Sequence, residues 1–256
     1  MLAMIPGQKP CACQNGVTMP QAALPYGDVA HAVATLRAAS LENLRDPGWL
    51  EDELLPHLGL NDEMLHEFPA GLYPWCGHGL KSWQYPNQFS RYLCHLADLG
   101  IRSYVEIGCR HGGTFIITVE YLRRFGDLSQ VAAIDIMRSP IIEAYAEFQT
   151  FDYLVASSRS PEALQCLAQA PWDLALIDGD HSMEGCLHDY CAVRNTARRI
   201  ALHDIASDVC GGVVQVWKLI EGVVPAHRLF TQQQQYDEVR ARTGRSYLGI
   251  GVVDFS

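Results

Sequence analysis

The sequence predicts an α/β fold: a doubly wound, mostly parallel seven-stranded sheet with a terminal antiparallel hairpin, carrying an N-terminal helical attachment. Three observations predict it. Five strand–helix units follow one another from Ser103 onward, and such alternation builds a parallel sheet with helices on both faces. Two more strand-like stretches close the chain with no crossover helix between them, and strands joined that way pair antiparallel. The chain of 256 residues is 48% hydrophobic, which suffices for one large core and an appended segment.

The division is placed at residue 80, with an arm and helical cap over 1–80 and the sheet domain over 81–256. The first 25 or so residues are rich in Pro, Gly, Gln and Ala and read as a loose arm. From Asp28, a good N-cap, the residues Val29, Val33, Leu36 and Leu41 fall near helical spacing, and Pro47-Gly48 is expected to end that run. A second helix is expected over Trp49–Leu58 and a short one over Asn61–Glu67, before a loop marked by Pro69, Gly71, Pro74, Gly77 and Gly79. After Pro86 a helix aligns Phe89, Leu93 and Leu96 on one face. Trp83 and Tyr85 just ahead of it either shape a pocket mouth or pack the attachment onto the sheet.

The strands are expected at Ser103–Gly108, Gln130–Ile136, Tyr153–Ser158, Trp172–Asp178 and Arg199–Ile205. Helices are expected after the first strand and over Ser139–Gln149, Ser160–Gln169, Met183–Thr196 and Gly212–Glu221. His227–Gln232 and Tyr247–Asp254 read as the last two strands, joined by a polar stretch without a convincing helix.

The stretch SYVEIGCRHGGTF, from Ser103 to Phe115, is a strand, a glycine turn and a helix start. Such a turn aims the free N–H groups of the helix into the crevice at the carboxyl end of the strand, where an anion or polar ligand is favoured. Glu106 places an acid inside the strand end, where burial requires a cation or hydrogen bonds. The pattern Glu106-x-Gly108-x-Arg110-x-Gly112-Gly113 is not the G-x-G-x-x-G of dinucleotide enzymes. It resembles motif I, E-x-G-x-G-x-G, of the class I, Rossmann-like methyltransferases that use S-adenosylmethionine (SAM), with Arg110 where a glycine usually stands.

In an open parallel sheet the strand ends face the ligand. Asp135 ends the second strand 22 residues after Gly113, close to the spacing of about 20 at which an acid meets ribose hydroxyls. Helix capping by Asp135 is the competing reading. Ser157 and Ser158 end the third strand. At the fourth, Asp178-Gly-Asp180-His181 crowds ionisable groups whose proton affinities burial and repulsion would perturb. The string IDGDHSMEG resembles the IDGDHSYEG signature of the small-molecule O-methyltransferase group that includes macrocin-type and cephalosporin-hydroxylase-like enzymes. The fifth strand ends in His203-Asp204.

The resemblance implies a SAM cofactor held by Glu106, Gly108, Arg110, Gly112, Gly113, Asp135, Ser158, Asp178 and His181. It implies Mg²⁺ as a further cofactor on Asp178 and Asp204, with His203 or Asp180 as an optional contact. His181 is the first candidate base and Asp178 the second; Asp180 reads equally as a helix cap. The acceptor that the resemblance implies is a small molecule, methylated at a hydroxyl oxygen. A NAD-dependent oxidoreductase is disfavoured by the glycine spacing and by His203-Asp204, and a non-catalytic SAM-binding protein on the same sheet is the other alternative.

A net charge of −10, with no Lys/Arg cluster beyond Arg198-Arg199 and the spaced Arg240, Arg242 and Arg245, which read as solvated or locally paired, disfavours a phosphate-driven nucleic-acid binder. No run of about 18 apolar residues occurs, so no membrane partner is expected. Nine scattered cysteines indicate a reduced, cytoplasmic setting. Cys11-x-Cys13 is too close for ordinary metal-finger spacing. The sequence leaves a homo-oligomer open.

Overall fold

Residues Ser103–Ile107 form the first strand, β1, because both of its faces are covered: all five residues are buried, as expected of a central parallel strand. The strands that follow are β2 (Gln130–Asp135), β3 (Asp152–Val155), β4 (Leu174–Ile177), β5 (Arg199–His203), β6 (Leu229–Gln232) and β7 (Ile250–Asp254). A computed structural model of the chain describes residues 24–169 and 171–256. The expected loose arm and the Cys11-x-Cys13 pair fall outside the described residues, save for the arm's last few.

The seven strands form one sheet in the order β3-β2-β1-β4-β5-β7-β6. β1 to β5 pair in parallel, and β7 is antiparallel to both β5 and β6. The expected doubly wound sheet with its terminal hairpin is therefore the observed fold, with β7 inserted between β5 and the edge strand β6. The strand order reverses beside β1, so the crevice lies at the ends of β1, β2 and β4.

Alternate residues of each strand feed two cores. Tyr104, Ala133, Leu174, Leu176, Ala201 and Val252 face one layer, while Val105, Ile107, Ala132, Ile134, Ala175 and Ile177 face the other. The first layer contains the helices α1 (Val29–Ala38), α2 (Leu41–Leu44), α3 (Pro47–Trp49), α4 (Leu55–Leu58), α5 (Pro86–Leu96), α6 (Gly113–Arg123) and α7 (Pro140–Tyr145). The second contains α8 (Pro161–Ala168), α9 (Met183–Val193) and α10 (Gly211–Val223). Leu36, Leu44, Leu54 and Leu58 share a continuous core with Phe89, Leu93, Ile116 and Val119.

The helices depart from expectation in several places. The first helix ends at Ala38, because Ala39 is extended and Ser40 caps a new turn through Asn43 N. Pro47 starts the next helix instead of stopping it: it stands at the first helical position, where its missing N–H costs nothing, behind the Asp46 cap. Leu50–Leu54 is a π-helical turn that joins α3 to α4 ahead of Pro56. Asn61–Glu67 contains only the 3₁₀ turn Leu65–Glu67. The polar stretch before β7 holds a helix, α11 (Asp237–Thr243), with acids in its first turn, arginines in its last and Gly244 as a left-handed cap. Only Val239 in it is buried, so it carries no apolar period.

Candidate active site

A cleft of about 800 Å³ opens at the carboxyl ends of β1, β2, β4 and β5. Its walls include Gly108–Thr114, Asp135, Ser157, Ser158, Asp178–His181, His203, Asp204 and Cys210, with Met64, Glu67, Lys81 and Trp83 from the N-terminal side. Of the sequence-predicted site residues, Gly108, Arg110, Gly112, Gly113, Asp135, Ser158, Asp178, His181 and Asp204 all line it. Glu106 does not. Its side chain is fully buried, with an oxygen accepting a hydrogen bond from Tyr104 Oη. Burial pushes its carboxyl up to about 8.

The loop after β1 fits close backbone approach. Gly108 has φ 90°, and a Cβ there would stand 2.1 Å from the Asp178 carbonyl oxygen, so only glycine lets β1 and β4 turn away together. Arg110 occupies the position where the resembling motif has glycine, and its φ is 45°. A non-glycine residue there carries a cost of about 1–2 kcal/mol. Its guanidinium pairs with Glu63 and lies 5.1 Å from the centre of the Trp83 ring, while His111 Nε2 stands 2.6 Å from Glu63 Oε1. The loop is thereby tied to the N-terminal segment.

Lys81, Arg110, Asp204 and Leu248 are the four non-glycine residues with positive φ among the described residues, and all four line this cleft. Backbone strain concentrated in one place is a mark of a functional site.

Asp135 is placed by the loop it serves. Its Oδ2 accepts from Arg110 N at 2.6 Å and its Oδ1 from Met137 N at 2.7 Å. Each oxygen keeps a further lone pair for a ligand hydroxyl.

At the other end, Asp178 Oδ1 stands 3.3 Å from His181 Nε2 and 3.1 Å from His203 Nδ1. Asp204 Oδ2 lies 3.5 Å from both His181 Nε2 and His203 Nδ1. Cys210 Sγ is 3.2 Å from His181 Nδ1 and 3.3 Å from Asp204 Oδ2. Burial opposes the charge of His203, yet Asp178 and Asp204 outweigh it and raise the imidazole to about 10. Hydrogen bonds to Asp178 and Cys210 raise His181 as well. Burial also opposes the charge of Asp178, but the two imidazoles hold its carboxyl below the usual range. His203 Nε2 is buried with no hydrogen-bond partner among the described residues. Asp178, His203 and Asp204 each offer a ligand atom, all within 4.8 Å of one another, a set that fits a divalent cation.

Asp180 lines the cleft, but its Oδ1 accepts from Ser182 N at 2.9 Å, and Ser182 itself caps α9. The two aromatic readings divide: Trp83 reaches the cleft, with Nε1 donating to Glu67 Oε2 at 3.1 Å, whereas Tyr85 is buried against Phe68 and Tyr236. Sequence reasoning missed Glu67 and Cys210. Each is a single residue in a segment without a motif, and only the fold brings it to the strand ends. Arg198 and Arg199 pair with Asp173 and Asp254. Among the described residues, no helix is long and apolar enough to cross a membrane.

Residues 105–205 match the family model described as a methyltransferase domain. No curated protein sequence matches the chain. Solved structures resemble it distantly. The O-methyltransferase TomG from Streptomyces achromogenes, in complex with SAM, is 15% identical, with 68% of this chain and 82% of its own covered at a TM-score of 0.46. An O-methyltransferase from Bacillus cereus in complex with S-adenosylhomocysteine (SAH) is 14% identical, covering 88% and 97% at a TM-score of 0.45. The methyltransferase MycE of mycinamycin biosynthesis, in complex with Mg and SAH, is 16% identical, covering 69% and 49% at a TM-score of 0.43.

Proposed function

We propose that the protein transfers the methyl group of SAM to a hydroxyl oxygen of a small molecule. The observation that carries this reading is the shared cleft: the glycine loop and Asp135 stand at one end, and the Asp178–His181–His203–Asp204 cluster stands at the other. The Asp135 carboxylate is held by two backbone amides and retains acceptor capacity for the ribose of the cofactor. Gly108, Gly112 and Gly113 let the loop pack tightly against Asp178, Ile142 and the Leu80–Ser82 backbone while it lines the cleft where the cofactor would lie, and Ser158 borders the same space.

Methyl transfer is an in-line displacement. The acceptor oxygen attacks the methyl carbon, the carbon–sulfur bond breaks, and its electron pair leaves with sulfur as the neutral thioether of SAH. The protein's task is to align the oxygen and take its proton. His181 is the base in this reading, with Asp178 Oδ1 orienting the ring. A divalent cation on Asp178 and Asp204, with His203 beside them, would polarise the hydroxyl and neutralise the charge that keeps His181 protonated. Residues 24–80 serve as a cap in this reading, with Met64 and Glu67 facing the acceptor.

The test is SAH formation across a panel of phenols, sugars and carboxylates. Turnover is expected with hydroxyl-bearing acceptors, falling about 10²–10⁴-fold in His181→Asn. SAM binding without SAH formation from any acceptor would leave a binding protein instead.

A further inference from the structure

We propose that Cys210, His181 and Asp204 form a second cation site, overlapping the first, that takes Zn²⁺ or a similar borderline transition ion and not Mg²⁺. The three side chains come from different elements: His181 from the turn after β4, Asp204 from the end of β5, and Cys210 from the start of α10. Cys210 Sγ stands 3.2 Å from His181 Nδ1 and 3.3 Å from Asp204 Oδ2, and one donor atom from each residue lies within 4.8 Å of the others. Ligands at the ~2.0–2.3 Å bond lengths of tetrahedral zinc stand roughly 3.3–3.7 Å apart. The side chains need only small shifts to close on an ion.

The donor chemistry separates the two sets. Asp178, His203 and Asp204 offer two carboxylates and one imidazole. The second set exchanges a carboxylate for sulfur, and thiolates select zinc-class ions over hard oxygen-seeking ones. With Nδ1 facing the ion, His181 Nε2 remains 3.3 Å from Asp178 Oδ1. A carboxylate on the far nitrogen is the outer support that metal-bound imidazoles commonly carry. Cys210 is buried but lines the cleft, so an ion reaches it from the ligand side, and the thiol proton leaves to solvent on binding.

Both sets use Asp204, so the two ions compete for its carboxylate. An ion on Cys210 and His181 also holds the ring that the proposed reaction needs as its base, which makes zinc an inhibitor. The site itself rests on the three side chains and stands whether or not the protein methylates hydroxyls.

Co²⁺ titrated into the full-length protein reports thiolate ligation as a near-ultraviolet charge-transfer band. The band is expected to saturate near one equivalent and to be lost in Cys210→Ser. Zinc affinity, read by competition with a chromophoric chelator, is expected to fall at least tenfold in Cys210→Ser and in His181→Asn. In the unmodified protein, Zn²⁺ should protect Cys210 from iodoacetamide, followed by peptide mass, while Mg²⁺ should not. A cobalt spectrum identical in wild type and Cys210→Ser, or equal labelling of Cys210 with and without zinc, overturns the proposal.

Discussion

Glu120 and Asp204 are both buried acids, and their surroundings differ in kind. Glu120 lies on α6, away from the cleft, and its needs are met: Oε2 accepts from Arg37 Nε at 2.8 Å, and Oε1 accepts from Arg37 at 3.1 Å and from Tyr145 Oη at 2.6 Å. Asp204 sits on a left-handed backbone with φ 60°, and its Oδ2 has a weak thiol donor and two imidazoles at 3.5 Å. The first arrangement is a closed network that fastens α1 and α7 to α6. The second is open and strained, and its groups gain full partners only when something enters the cleft. A buried acid with both oxygens tied to fixed donors speaks for stability, and one held under strain with unspent capacity speaks for chemistry.

Substitutions that keep the side-chain shape sharpen this contrast. Asp204→Asn, which tolerates the left-handed backbone, should lower methyl transfer about 10³-fold, roughly 4 kcal/mol of barrier. The urea midpoint should stay close to wild type. A large loss of stability with activity retained per folded molecule would place Asp204 among the structural acids.

Glu106 tests the contrast through pH. Its folded carboxyl is pushed up to about 8 from an ordinary value near 4.5. Below the unfolded value both states are protonated and nothing is lost. As pH rises towards 8 the unfolded chain ionises while the folded one does not, so stability falls across that window. Glu106→Gln should therefore raise stability at pH 8 by up to about 4 kcal/mol and change little near pH 4.5. Parallel stability–pH curves for the two proteins would show that Glu106 ionises in the fold.

The smallest expected effect lies at the closed network. Glu120→Gln keeps the volume but loses the charge, and it should cost about 2–3 kcal/mol by urea unfolding, less than a fully buried pair because Arg37 is half-exposed. The catalytic constants of the folded fraction should not move.

The sheet was legible because a five-fold strand–helix alternation leaves few topologies, and because Asp135, Asp178 and Asp204 end strands that must share an edge. Glu106 meets the hydrogen-bonded of its two readings: it lies in β1, where the pleat turns its side chain to the layer that holds Tyr104, and it does not line the cleft. Gly108, one residue past the strand, is what reaches the cleft. Cys210 and Glu67 were invisible for a different reason. Each contributes one side chain from a segment whose own pattern is ordinary, and their proximity to His181 or Trp83 exists only after folding. Arg110 was legible as an oddity; the structure gives it a φ of 45° and a partner in Glu63.

In the proposed reading, Asp135 tethers the adenosine half of SAM. Calorimetric titration of SAM, with NAD as the comparison ligand, addresses it directly. The wild-type protein should bind one equivalent of SAM and no NAD, with Asp135→Ala at least about 100-fold weaker, or roughly 2.7 kcal/mol, while still unfolding cooperatively. Equal SAM affinity in wild type and Asp135→Ala, or binding of NAD in place of SAM, would contradict it.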